Sequence, residues 1–176
     1  MPLPMIDSLM SNFKNTDPAP ALVQRGLIYV LIQAILLGLL FFAPSQFSFE
    51  KPWPVGLSYL CFTVGAILFV GGIGFAVMAA IQLGKNLTPL PHPKENAELI
   101  IAGLYRWVRH PIYFGVILLS CGWFLMTQGL ITLIYLVLLI LFFDLKSRKE
   151  ELWLIAYFPE YSQYQRTTKK IIPGIY

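Results

Sequence analysis

Residues Gly103–Gly115, GLYRWVRHPIYFG, hold two arginines, a histidine, a proline and two tyrosines at the mouth of an apolar segment. Charged and hydrogen-bonding groups at a membrane boundary are costly, so their density here points to a ligand. Within Arg109-His110-Pro111, the proline suits the first turn of a helix, where its missing N–H costs nothing. That puts His110 at or near the N-cap. The free N–H groups and dipole of such a start favour an anionic group nearby. Tyr113 and Phe114 lie one turn in, and Gly115 removes a side chain where a ligand or another helix comes close. The same residues also suit a helix anchored by an interfacial arginine and aromatics. The motif alone leaves both readings open.

A second charged cluster, Asp144–Glu151 (DLKSRKEE), ends the last long apolar run. On a helix Asp144 and Arg148 are four apart and can pair. Arg148 and Glu151 are three apart and share a face. Glu150 lies about 200° around from Arg148, with Ser147 and Leu154. The two glutamates therefore have different surroundings. A solvated charged helix end is the plainer alternative.

The elements that must position these clusters are apolar. The chain is 176 residues long, 57% hydrophobic and 12% charged, with mean hydropathy +0.66. Soluble domains run nearer a quarter charged, so the composition predicts an integral membrane protein. The net charge of +4 is not a nucleic-acid surface, because Lys and Arg sit beside apolar runs. Four runs stand out: Leu22–Phe42, Val55–Leu83, Ile112–Thr127 and Leu130–Leu145. A span needs roughly 17–25 apolar residues. The first two qualify easily. The last two are short and separated only by Gln128-Gly129, which predicts a tight helical hairpin. Its second helix runs on past the lipid through Tyr157. Phe158-Pro159 should end it, and a short interfacial helix over about 160–169 follows. There Tyr157, Tyr161 and Tyr164 repeat at helical spacing, as a headgroup-level tyrosine row also does. Gly65, Gly71, Gly72, Gly74, Ala76, Ala79 and Ala80 read as helix packing.

With four spans and both termini inside, every Lys and Arg except Lys51 falls on the cytoplasmic side. The expected architecture is an all-α integral membrane protein with four transmembrane helices, a tight hairpin and a cytoplasmic or interfacial C-terminal helix. Its parts are a polar segment (1–21) with no clean signal peptide, two N-terminal helices (22–83) and a core (84–176). The loop Gly84–His110 and the tail then share one membrane face. The loop is stiffened by the prolines of LTPLPHP, Leu87–Pro93. Cys61 and Cys121 lie inside apolar runs, so a disulfide framework is not expected. His92 and His110 are the only histidines, so no metal site is expected either.

This constellation resembles the isoprenylcysteine carboxyl methyltransferase family in its small prokaryotic-type form. The residues that carry the resemblance are Gly103 and Tyr105, Arg109-His110-Pro111-Ile112-Tyr113 with Gly115, the hairpin, and Glu150-Glu151. Leu154-Ile155, Phe158, Tyr161 and Tyr164 look like the family's tail. The resemblance covers about Gly84 to Pro173. It implies S-adenosylmethionine bound on the cytoplasmic side by Gly103, Tyr105, Arg109, His110, Pro111, Tyr113, Gly115 and Tyr164, beneath the C-terminal helix. A lipid-like acceptor enters from the bilayer. Methyl transfer is in-line displacement, so positioning and electrostatics dominate. Arg148 is then expected to orient an acceptor carboxylate, and Glu150 or Glu151 to position Arg148 or the cofactor. For an amine or thiol acceptor, a glutamate takes the proton. One departure is notable. Family members that methylate isoprenylcysteine carry an arginine on the helix before the cofactor loop, whereas Gly71–Ala80 is uncharged. Isoprenylcysteine carboxyl methylation is the first expectation. The alternatives are phospholipid or amine N-methylation, an NADPH-dependent sterol-type reductase with a related Arg-His-Pro-x-Tyr segment, and a non-enzymatic membrane scaffold.

Overall fold

The computed structural model describes residues 19–42, 53–90, 94 and 96–176, with side chains from Gly26 onward. Lys14, Lys51, His92 and the Pro91–Pro93 part of the stiff loop lie outside the described residues. The helices are α1 (Ala19–Phe42), α2 (Val55–Leu83), α3 (Pro111–Thr127), α4 (Leu130–Tyr157) and α5 (Tyr161–Thr167). Two 3-10 turns, Gly84–Asn86 and Gly103–Arg106, lie between α2 and α3. Among the described residues the pairing outside helices is one isolated parallel bridge, Val108 to Lys169.

The apolar runs become the four long helices, and the boundaries have local causes. Pro111 opens α3 directly after His110. Gln128 adopts the left-handed conformation and its N–H donates to Phe124 O at 2.7 Å, closing α3. Gly129 is extended and starts α4, so the hairpin turn falls on the expected pair. At the far end Phe158 turns extended, as a residue before proline must.

Val55–Asn86 and Leu130–Tyr157 contain apolar stretches long enough to cross a membrane, and α1 and α3 are shorter apolar helices. Exposed side chains along α2 include Tyr59, Phe62, Ile67, Val70 and Ile81. An uncovered apolar face of that extent suits contact with lipid.

The inner face of α2 is a stripe of small residues seven apart, Gly65, Gly72 and Ala79, all buried. It meets Gly115 and Gly122 of α3. A Cβ on Gly72 would sit 2.4 Å from Leu119 N, and one on Gly122 would sit 2.5 Å from Gly65 O. Backbones this close are the usual way helices gain van der Waals contact in lipid. The Trp123 indole N–H donates to Leu40 O at 3.1 Å and ties α1 to this pair. Leu40, Ile117, Leu136, Leu139, Phe142 and Phe143 form the apolar core shared by α1, α3 and α4. That core sets the first turn of α3 beside the charged end of α4.

Candidate active site

Residues 144–151 of α4 carry six ionisable side chains and lie beyond its apolar stretch. At about 100° per residue, Phe143, Lys146, Ser147, Glu150 and Glu151 fall on one arc. All of them are buried except Glu150, whose side chain keeps 14% exposure. Arg148 lies about 120° from the centre of that arc. Its side chain is 65% exposed and pairs with Asp144 at 2.8 Å. The pairing expected from sequence is therefore present, but Arg148 is not brought to the site. Helix phase turns it outward, and the acceptor-orienting role expected of it has no geometric support.

The two glutamates face different partners. Glu151 Oε1 accepts from Arg109 Nε at 2.8 Å and lies 3.1 Å from His110 Nε2. Its Oε2 accepts from Gln165 Nε2 at 2.8 Å. Arg109 also donates to the carbonyls of Gln165 (3.0 Å) and Thr168. The tail is laid alongside by Arg109 N to Lys169 O (2.8 Å) and His110 N to Lys170 O (3.0 Å). Burial opposes ionisation of Glu151, but hydrogen bonds from His110 and Arg109 outweigh it and hold the carboxyl down at about 2.

Glu150 accepts from the Tyr113 hydroxyl and faces His110 Nδ1 at 3.5 Å and Lys146 Nζ at 3.9 Å. Here burial wins, and the carboxyl is pushed up despite the opposing pull of His110 and Lys146. The His110, Tyr113 and Phe143 rings stack in series, with centroids 5.3 and 4.5 Å apart.

Glu150, Tyr105, Arg109, His110, Pro111, Tyr113 and Tyr164 all line one cavity of about 420 Å³, a size typical of small-molecule sites. Residues 86–90 and 97–100 of the loop before α3 also line it. Leu104 N donates to Gln82 Oε1 at 2.8 Å, which anchors the Gly103–Arg106 turn to α2. Tyr105 OH donates to Ala79 O at 3.4 Å, and Tyr164 OH to Tyr105 O. Burial pushes the Tyr105, Tyr161 and Tyr164 phenols well up, so they are neutral donors.

Besides Arg148, three expected cofactor or catalytic residues sit outside the cavity lining: Gly103, Gly115 and Glu151. Gly103 takes a positive φ of 62° at the turn. Gly115 belongs to the α2 crossing, where a Cβ would lie 2.6 Å from Ala76 N. Of its two sequence readings, helix contact is the one the packing bears out. Glu151 stands behind the cavity wall. None of residues 71–80 lines the cavity, so the uncharged stretch there leaves its electrostatics untouched.

Among the lining residues that the sequence does not assign to the site are Tyr161, Lys146 and Gln33. Tyr161 is 2% exposed, and its hydroxyl has no partner among the described residues. Its place in the tyrosine row was the available signal. A buried polar atom without a partner is costly, and one lining a cavity fits a ligand that supplies the partner.

Comparison with known proteins places the chain in a family. The family profile "Phospholipid methyltransferase" matches residues 60–160. The protein-S-isoprenylcysteine O-methyltransferase of Schizosaccharomyces pombe is 30% identical over 101 residues, covering 55% of this chain and 43% of that protein. The Saccharomyces cerevisiae protein of the same name is 30% identical over 120 residues, covering 66% and 50%. The cobalt-zinc-cadmium resistance protein CzcN of Cupriavidus metallidurans is 26% identical over 151 residues, covering 85% and 63%. The chain thus spans about half the length of the isoprenylcysteine relatives it matches. These matches bear out the resemblance carried by Arg109-His110-Pro111-Ile112-Tyr113 and the glutamate pair. Because the matched profile spans more than half of its length and encloses both clusters, the chain belongs to the phospholipid methyltransferase family.

Proposed function

We propose that the chain is an S-adenosylmethionine-dependent methyltransferase acting on a lipid-like acceptor, with carboxyl O-methylation of an isoprenylcysteine-type substrate as the leading reaction. The observation that carries this is a cavity whose wall holds Glu150 beside a buried Tyr161 hydroxyl that has no partner among the described residues. The family and the names of the relatives support methyl transfer. The lining fits the donor. Tyr161, Tyr164, Tyr105 and His110 offer hydrogen bonds and flat rings for an amino-acid head and an adenine. Glu150 offers a carboxylate for a cationic group. When bound, the donor supplies an activated methyl group: an acceptor lone pair forms the new bond as the sulfur–carbon bond breaks and its electron pair neutralises the sulfonium. This chain's residues do the rest. Tyr113 and His110 fix Glu150, Arg109 and Glu151 hold the tail over the cavity, and the loop 86–90 excludes water.

Four membrane spans, with both termini and the cavity on the cytoplasmic side, belong to the same reading. The apolar lengths of α1 to α4 support it, as does the Lys and Arg excess at one end. The acceptor then approaches from the bilayer.

The test is calorimetric titration of the full chain in detergent with S-adenosylmethionine and, separately, with NADPH. The expected result is saturable binding of the first alone. Binding of NADPH alone would indicate a reductase, and binding of neither would support a scaffold.

A further inference from the structure

We infer that Lys146 and Gln33 form the subsite for the acceptor headgroup and select an acid over an amine. The inference rests on the methyltransferase reading above and names the substrate class of that site.

Lys146 lies one turn before Glu150 on α4 and is 3% exposed, yet it lines the cavity. An ammonium has three donors. Among the described residues this one makes a single hydrogen bond, to Gln33 Oε1 at 2.8 Å. Glu150 Oε1 stands 3.9 Å away and already accepts from Tyr113. The Tyr113 ring contributes a cation–π contact at 5.2 Å. A buried cation needs hydrogen-bonded pairing, and Lys146 is only partly paired. The other cavity cation, Arg109, is committed to Glu151 and two tail carbonyls. Lys146 is therefore the lining cation with donors to spare, and an anionic oxygen entering the cavity would complete its shell.

Gln33 sets the direction of those donors. It is the one amide in the apolar run Leu27–Phe42, and it precedes the family-matched residues 60–160. Its amide nitrogen donates to nothing among the described residues, so it can share the headgroup with Lys146. An amine gives Lys146 no oxygen at the reacting atom. Its protonated form is a second cation, and its neutral form spends its lone pair on the methyl. A phosphate on such a lipid lies two carbons away from the nitrogen. A carboxylate offers two oxygens. Methylation converts one of them to an ester oxygen, and the headgroup loses its charge. Lys146 then holds the product less well than the substrate. Because this contact is made before the methyl moves, its loss raises KM and spares kcat.

The experiment measures methyl transfer by full-length protein in detergent to N-acetyl-S-farnesylcysteine and to phosphatidylethanolamine, with S-adenosylmethionine affinity measured alongside. Lys146→Met is expected to raise KM for the acid by about 10- to 100-fold, the range of a charge-assisted hydrogen bond. Gln33→Leu leaves the lysine in place and is expected to raise it about threefold to tenfold. Donor affinity and kcat stay near wild type in both. If Lys146→Met does not fold, Gln33→Leu decides alone. An unchanged KM with normal donor binding overturns the subsite. So does loss of donor binding in either variant, or a wild type that prefers phosphatidylethanolamine. A wild type that binds no S-adenosylmethionine removes the reading beneath the inference, a failure visible before any acceptor is added.

Discussion

Glu150 and Glu151 are consecutive, and α4 sends them to opposite sides of its buried arc. On the Glu151 side every strong donor has an acceptor: Arg109, Gln165 and the tail carbonyls close on one another. On the Glu150 side the groups face a cavity, with a half-paired lysine and a tyrosine hydroxyl that has no partner among the described residues. A step of about 100° along the helix separates a fastening from a cavity wall. Charge density alone does not mark function. What distinguishes the two sides is whether the charges are already satisfied, and that requires the neighbours in three dimensions.

The largest expected effect breaks the fastening. Glu151→Gln leaves Arg109 buried without its carboxylate and should cost about 3–5 kcal/mol of stability, read as a fall in Tm in detergent. The pH dependence has a definite sign. Glu151 is depressed from its ordinary 4.5 to about 2. Its contribution is therefore fully present above 4.5 and lost as pH falls toward 2. Glu150 is raised, so its ionisation opposes folding and its protonation relieves that cost. Glu151→Gln should remove the Glu151 share of the acid-side loss of stability expected for wild type.

Glu150→Gln should do the reverse. Turnover is expected to fall by about 10²–10³, the scale of losing one preorganised electrostatic group, with Tm at or above that of wild type because a buried charge is gone. Equal loss of Tm in both variants would erase the contrast between the two sides.

Tyr161→Phe sharpens it further. Removing a hydroxyl with no protein partner should leave Tm unchanged or higher, while S-adenosylmethionine affinity weakens by about 5- to 10-fold, the range of one neutral hydrogen bond. The smallest effect belongs to Arg148→Ala. An exposed pair with Asp144 is worth about 0–1 kcal/mol, and turnover should stay within about twofold of wild type.

Much of this was readable in the chain. The apolar runs fixed the four long helices because length and hydropathy decide where a helix can continue without polar breaks. Pro111, Gln128-Gly129 and Phe158-Pro159 fixed their ends by local backbone chemistry. The Arg109-His110-Pro111-Ile112-Tyr113 segment and the glutamates were legible because they sit at helix ends facing the same side. Arg148 misled because sharing an arc with Glu151 is a statement about two residues. Which part of the arc is buried depends on α3 and the tail. Gln33 is 113 positions from Lys146, and no local pattern could join them. An amide amid the apolar residues 27–42 is the signal available. Tyr161 stood in a visible row, but its missing partner is a property of the packed wall.

The central claim is that the cavity beside Glu150 transfers a methyl group to a lipid-like acid. The most direct measurement is label transfer from methyl-tritiated S-adenosylmethionine to N-acetyl-S-farnesylcysteine by the purified full chain. The expected result is a base-labile methyl ester whose formation slows by about 10²–10³ in Glu150→Gln, with Tm at or above that of wild type. Label appearing instead in an amine headgroup, or equal turnover by Glu150→Gln and wild type, would contradict it.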